Sequence, residues 1–205
     1  MSATTRTLAP VLADRLVGSA TIAKDVALVL TGAAVVGALA QVSVPMWPVS
    51  ITGQTLGVLV VGATLGARRG ALSMLSYMGL GLAGVPWFAD FTGGPHTILK
   101  PSFGFIVGFV AAAWVIGALA ERRWDRSTWT SLAAFGIATA IPFAVGVPWM
   151  WAILHFLMGR TMGLAATLQA GLVPFIPGGV IKGLLGFAIV TGAWRLLDGM
   201  GRRSL

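Results

Sequence analysis

Long apolar runs separated by short, mostly basic turns dominate this chain. The first run, Val26–Val44, is long enough as a helix to cross the ~30 Å hydrocarbon core of a bilayer. Further runs read as spans over 52–65, 71–85, 101–120, 129–157 and 176–197. A soluble domain of 205 residues needs more polar surface than 10% charged and 57% hydrophobic residues provide, so the chain reads as an all-α integral membrane protein. No shift in composition divides it. Residues 1–205 form a single expected membrane domain, with a polar, cytoplasmic N-terminal segment over 1–24.

Basic residues in a membrane protein first report topology, because they are held back on the cytoplasmic side. With six spans and both termini cytoplasmic, that side collects Arg6, Arg15, Lys24, Arg68, Arg69, Arg122, Arg123, Arg126, Arg195, Arg202 and Arg203. Lys100, Arg160 and Lys182 are left on the other side or within the membrane. A seventh crossing inside Trp129–Val173 would carry the C-terminal arginines outside. The 129–157 run exceeds one straight span and contains Pro142 and Pro148, so it is either one kinked, tilted helix or a span with a helical extension. Gly159–Val173 reads as a weakly amphipathic connector. Leu8, Val11, Leu12, Arg15 and Leu16 have the spacing of a short surface helix. Ala38-Leu-Ala40 resembles a signal cleavage site, but the leader would be unusually long, and 26–44 is read as a span. The net charge of +8 thus belongs to topology, and no nucleic-acid partner is expected.

Little here points to covalent chemistry. Cysteine is absent, which removes disulfides, thiolates and cysteine-held metals. His155 lies in an apolar run with no carboxylate on its helix face and reads as a packed, hydrogen-bonded residue. His96 shares an outer loop with Asp90, a poor metal set, and reads as solvated. No phosphate-binding P-loop, zinc-protease or nucleophile-elbow motif occurs. The expectation is a protein that is not an enzyme and holds no cofactor or metal.

The side opposite the basic turns is richer. It gathers the uncharged Pro45–Ile51 loop with Trp47, and the Trp87–Lys100 loop with its glycines. Lys182 lies near the same face, in the run Pro174-Phe-Ile-Pro-Gly-Gly-Val-Ile-Lys182-Gly-Leu-Leu-Gly186. An ammonium among apolar residues costs at least ~2.5–3.5 kcal/mol on insertion scales. Two readings compete. Lys182 either snorkels to the interface, about one turn from a helix start near Pro177, or faces a pocket and meets an anion. Trp47, Trp87, Trp149 and Trp151 either form an interfacial belt or, for Trp47 and Trp87, cover a heterocycle. Apolar walls with a few polar groups compose a small-molecule pocket. Small residues four apart, such as Ala33/Gly37, Ala34/Ala38, Gly62/Gly66 and Gly104/Gly108, allow close helix approach, and the first span is the best candidate for docking another membrane subunit.

Five ordered segments resemble a known family. Val44-Pro-Met-Trp-Pro-Val-Ser-Ile-Thr-Gly-Gln-Thr-Leu-Gly57 is similar to the V-P-x-T-x-Q-T-L-G-type motif of the BioY family, the biotin-binding S components of energy-coupling factor (ECF) transporters. The likeness continues through Leu65-Gly-Ala-Arg-Arg-Gly-Ala-Leu72 and Tyr77, Gly84-Val-Pro-Trp-Phe-Ala89, Pro101-Ser-x-Gly-Phe105 and Pro174-Phe-Ile-Pro-Gly-x-x-x-Lys182. It covers about Val26 to Leu197. The resemblance implies a six-helix vitamin-binding subunit of the bacterial cytoplasmic (inner) membrane. It also implies biotin near the outer face and docking on a T component coupled to ABC-type ATPase subunits. Thr52, Gly53 and Gln54 fall on the motif beside the ligand, and Lys182 on the family's P-G-D-x-x-K lysine. Ala34 and Ala38 match the docking surface. Trp47, Tyr77, Trp87 and Ser102 complete the expected site, with aromatic walls for the fused rings and polar groups for the ureido head. Gly179 stands where the family has aspartate, and Phe105 where it has tyrosine. Lys182 therefore lacks a carboxylate one turn away, which makes an anionic ligand its natural counter-charge. A different small anionic vitamin, or a carrier working without partners, are the alternatives.

Overall fold

The computed structural model describes residues 9–18 and 21–203, so Arg6 and Leu8 lie outside the described residues. The chain is mostly helical. Its helices are α1 (Leu12–Val17), α2 (Ile22–Ala40), α3 (Gln54–Leu65), α4 (Ala67–Leu82), α5 (Phe103–Ala120), α6 (Thr128–Ala152), α7 (Leu164–Gly171) and α8 (Phe175–Arg203). Two two-residue strands, β1 (Ser43–Val44) and β2 (Ile51–Thr52), pair antiparallel between α2 and α3. Among the described residues, four helical stretches are long and apolar enough to cross a membrane: Ile22–Ala40, Phe103–Ala120, Thr128–Leu157 and Phe175–Met200. At 1.5 Å per residue, α3 and α4 reach only about 18 and 24 Å.

Several boundaries differ from the sequence reading, each for a local reason. Helix α2 starts four residues before the expected Val26, because the Thr21 hydroxyl accepts the Lys24 backbone N–H and caps the first turn. It stops at Ala40, where the Gln41 side chain takes over. Its Nε2 lies 3.0 Å from the Gly37 carbonyl and 3.2 Å from those of Trp87 and Phe88. Its Oε1 accepts the Phe91 N–H. Residues expected at the end of the first span and in a loop instead form the β1–β2 hairpin. Arg68 and Arg69 belong to the first turn of α4 rather than to a connecting turn. Gly66, at φ +86°, reverses the chain alone, and the Glu121 carboxylate accepts the Ala67 N–H.

The 129–157 run is one helix. Helix α6 carries Pro142 and Pro148 within it and ends in a π-helical turn, Ile153–Leu157. The connector after it contains α7. Helix α8 begins at Phe175, before the expected Pro177, whose missing N–H is harmless in a first turn. Lys182 therefore lies about two turns into the helix rather than one.

Helix α5 is at the centre. Gly62 of α3 lies against it so closely that a Cβ there would come within 2.7 Å of the Ala113 carbonyl oxygen. Gly104 and Gly108 of α5 in turn admit Trp149 and Pro142 of α6. The pairs Gly62/Gly66 and Gly104/Gly108 thus serve internal packing and turning. In α2, Ala33 and Gly37 are buried, with Gly37 against Trp87, whereas Ala34 and Ala38 face outward.

The end that holds α1 and the turns after α3 and α5 is tied by charge. Arg69 pairs with Asp14 at 2.6 Å and Asp25 at 2.8 Å. Arg126 donates to the Pro10 carbonyl and covers the Trp194 ring at 4.2 Å. The Trp194 indole N–H donates to Asp125. Burial pushes the Asp125 carboxyl above its usual range, against that hydrogen bond and the Arg126 charge. The expected surface helix is half right: α1 is present, but Val11, Leu12 and Ala13 are buried.

Candidate ligand pocket

At the opposite end a cavity of about 220 Å³ opens between the β1–β2 hairpin, the start of α3, the loop before α5, the first turns of α5 and α8, and the Pro142–Phe143 stretch within α6. Its floor is aromatic. Phe105, Phe143 and Phe175 form a triangle with ring centroids 5.8–6.2 Å apart. Its polar groups sit on the hairpin and loop: Thr52, Gln54, Asp90, Lys100 and Ser102, joined by Lys182 from α8.

The local chain explains why these groups converge. Gly53 sits where a Cβ would lie 2.7 Å from the Leu39 carbonyl oxygen, and its N–H donates to Val42 at 2.8 Å. Only glycine lets α3 begin so close to the end of α2. The Thr52 hydroxyl then donates to Gln54 Oε1 at 2.6 Å, and Gln54 Nε2 donates to Tyr77 Oη at 2.7 Å. The Tyr77 hydroxyl donates to the Trp87 carbonyl at 3.2 Å, while the Trp87 indole N–H returns a bond to the Tyr77 carbonyl. Gln54 and Tyr77 are 6% and 0% exposed, so this chain of bonds is dry and each member is satisfied. It fixes which end of the Gln54 amide is acceptor and which is donor, leaving one N–H for the cavity.

Lys182 reaches from α8 to the hairpin, where its Nζ donates to the Thr52 carbonyl at 2.6 Å. It lines the cavity. An ammonium has three donors, and one is used here.

The residues expected at the site divide into three groups. Thr52, Gln54, Ser102 and Lys182 line the cavity. Gly53, Tyr77 and Trp87 stand behind it and hold the lining in place; Trp87 also packs at a tilt against Tyr77 with ring centroids 5.3 Å apart. Trp47 is at the hairpin tip, 61% exposed, with the Arg160 guanidinium 4.9 Å from its ring centroid. The hairpin residues that reach the cavity are Pro48, Val49, Ser50 and Thr52. Ala34 and Ala38 lie on α2, away from the cavity. His96 is exposed. His155 packs as expected, its ring stacked on Trp151 at 5.1 Å, but its Nδ1 is buried without the anticipated hydrogen bond.

Sequence reasoning passed over four contributors. Gln41 ties α2 to the loop, and its signal was a single amide closing an apolar run. Asp90 has a left-handed backbone (φ 59°) and accepts the Ser43 hydroxyl at 2.9 Å. Phe143 and Phe175 also line the cavity, and nothing in their spacing distinguishes them from other core residues; Lys100, read with Lys182 as part of the outer face, lines it too.

Comparison with known proteins bears on this arrangement. The sequence model of the BioY family matches residues 6–199. The chain belongs to the BioY family. A biotin transporter BioY of Rhizobium etli is 35% identical over 179 residues, covering 82% of this chain and 94% of that protein. That of Rhodobacter capsulatus is 37% identical over 183 residues, covering 82% and 90%. Among solved structures, the 2.1 Å crystal structure of the S-component for biotin from an ECF-type ABC transporter superposes with a TM-score of 0.73. It covers 86% of this chain and 95% of its own at 23% identity, a likeness of fold. BioY proteins are membrane transport components, not enzymes, and the apolar helices of this member are the spans of a multi-pass membrane protein.

Proposed function

We propose that this BioY family member is the substrate-binding membrane subunit for biotin uptake, energised by a T component and ABC-type ATPase subunits. The observation that carries the reading is Lys182. It is a cation set two turns into an apolar helix, lining an aromatic-floored cavity beside Gln54, whose amide is oriented by Thr52 and Tyr77. In this reading the ammonium meets the carboxylate of biotin, a charge-assisted bond made stronger by a water-poor setting. Gln54 and Ser102 face the ureido head, and the phenylalanine floor takes the fused rings. Gly53, Tyr77 and Trp87 hold the lining, and Trp47 closes the hairpin over the ligand.

Six crossings, α2 to α6 and α8, with both termini in the cytoplasm, fit this role. They leave Arg68, Arg69 and Arg122–Arg126 inside and the cavity facing out. The exposed Ala34 and Ala38 suit close docking of the T component on α2. The absence of an aspartate at Gly179 leaves the ligand as the counter-charge of Lys182. Mass spectrometry of small molecules retained through purification should find biotin. Titration calorimetry with Lys182→Ala should show affinity lowered tenfold or more, and an unchanged isotherm would remove Lys182 from the site. Retention of another small anionic vitamin in place of biotin would redirect the substrate. Biotin uptake by vesicles holding this chain alone would replace the partnered mechanism with a solitary carrier.

A further inference from the structure

At the end opposite the cavity, α2 and α4 run side by side in the same direction. They touch at Gly32, where a Cβ would lie 2.6 Å from Ser73 Oγ. Below that contact, toward the two helix starts, they part around a groove of about 520 Å³. Its walls are Val26, Val29, Leu30 and Leu72, and at its mouth stand Arg68, Arg69 and Asp25. Arg69 is engaged by Asp25 and by Asp14 on its far side. Arg68 is exposed and forms no ion pair among the described residues. Arg69 is thus matched by carboxylates, and Arg68 is the guanidinium at the mouth with no carboxylate partner among the described residues.

The six-crossing topology proposed above puts Arg68 at the cytoplasmic surface, with the groove running from it toward the midplane. Along α2, Ile22 to Leu30 advances about 12 Å, so the slot has the depth of a substantial length of acyl chain. A guanidinium presents paired donors to a phosphate oxygen pair, and the cytoplasmic leaflet is where anionic headgroups gather. We propose that the α2–α4 groove binds one anionic phospholipid, its phosphate on Arg68 and one acyl chain between Val26, Leu30 and Leu72. This rests on the topology of the proposed function but not on its ligand. Lys24 and Arg15, nearby in sequence on the same side, add to the attraction for a negative headgroup.

Native mass spectrometry of the detergent-purified full chain, given equal amounts of a phosphatidylglycerol and a phosphatidylcholine with identical chains, tests this. One phosphatidylglycerol should be retained under activation that strips phosphatidylcholine. Arg68→Ala should lower that adduct fivefold or more, and Leu30→Trp, which fills the slot from an exposed position, should do the same. Arg68→Lys should keep part of it. Biotin titrations on the same samples should be unchanged, which separates loss of the lipid site from loss of fold or of the proposed ligand. Equal retention of the two lipids would overturn the proposal, as would an adduct insensitive to both substitutions. Displacement of the lipid by inorganic phosphate alone would make this a phosphate site and would also overturn it. If Arg68→Ala leaves the adduct intact but prevents assembly with coupling subunits, the groove belongs to a protein partner instead.

Discussion

The two ends of this molecule hold their charges on different terms. At the end with α1, Arg69 has two carboxylates, Glu121 caps α4, and Arg126 is bound to a carbonyl and a ring. At the cavity end, Lys182 has a single carbonyl, Lys100 and Asp90 line open space, and buried polar groups form one relay behind the wall. Both ends bring basic groups to the edge of an apolar bundle. One ties Arg69 and Arg126 into the chain and leaves Arg68 exposed; the other leaves Lys182 and Lys100 short of carboxylate partners around a cavity. The first arrangement ties helices together, and the second is the one proposed above to meet an anion. A cation is thus paired within the chain at position 69 and open to a ligand in the proposed role of position 182.

Substitutions at the two ends should therefore separate stability from binding. The largest such effect is expected from Arg69→Ala, which releases two carboxylates at once. Because Asp14 and Asp25 keep 37% and 43% of their side-chain surface, the cost is held to about 1–2 kcal/mol. Thermal unfolding should fall while the dissociation constant for biotin stays within twofold. Next is Tyr77→Phe, which takes the partner from Gln54 Nε2 and frees the amide to turn. Leaving Gln54 Nε2 without its buried partner costs about 1 kcal/mol of stability and should lower the unfolding temperature by a few degrees, while the loosened amide should weaken biotin about fivefold, readable by calorimetry. The smallest is Arg160→Ala. The cation–π contact to Trp47 is exposed and worth about 0.5–1 kcal/mol, so biotin should dissociate about two- to fivefold faster in a stopped-flow chase, with the association rate nearly unchanged.

Part of the cavity end was legible in the sequence. Lys182 stood out as a charge in an apolar run, whereas Thr52, Gly53 and Gln54 were picked out only by their likeness to the BioY motif. The helix limits were less legible. Gly66 turns the chain within one residue, so Arg68 and Arg69 join α4, and Gln41 ends α2 through contacts to residues some fifty positions away. Long-range side-chain caps of that kind leave no local pattern. Trp47 shows a second limit. Its neighbours Pro45 and Pro48 marked a compact loop, but whether the ring turned toward the cavity or toward Arg160 depended on a loop more than a hundred residues further on. Phe143 and Phe175 were invisible for the opposite reason, since phenylalanines in apolar helices are ordinary until three of them meet.

The direct test of the central claim uses ligand and protein together. Calorimetric titration of biotin and of its uncharged methyl ester into wild-type protein and Lys182→Met forms a closed cycle. If the ammonium pairs with the ligand carboxylate, wild-type protein prefers the acid over the ester by tenfold or more, and the variant shows no preference. An acid-over-ester ratio that is the same in both proteins would contradict the account.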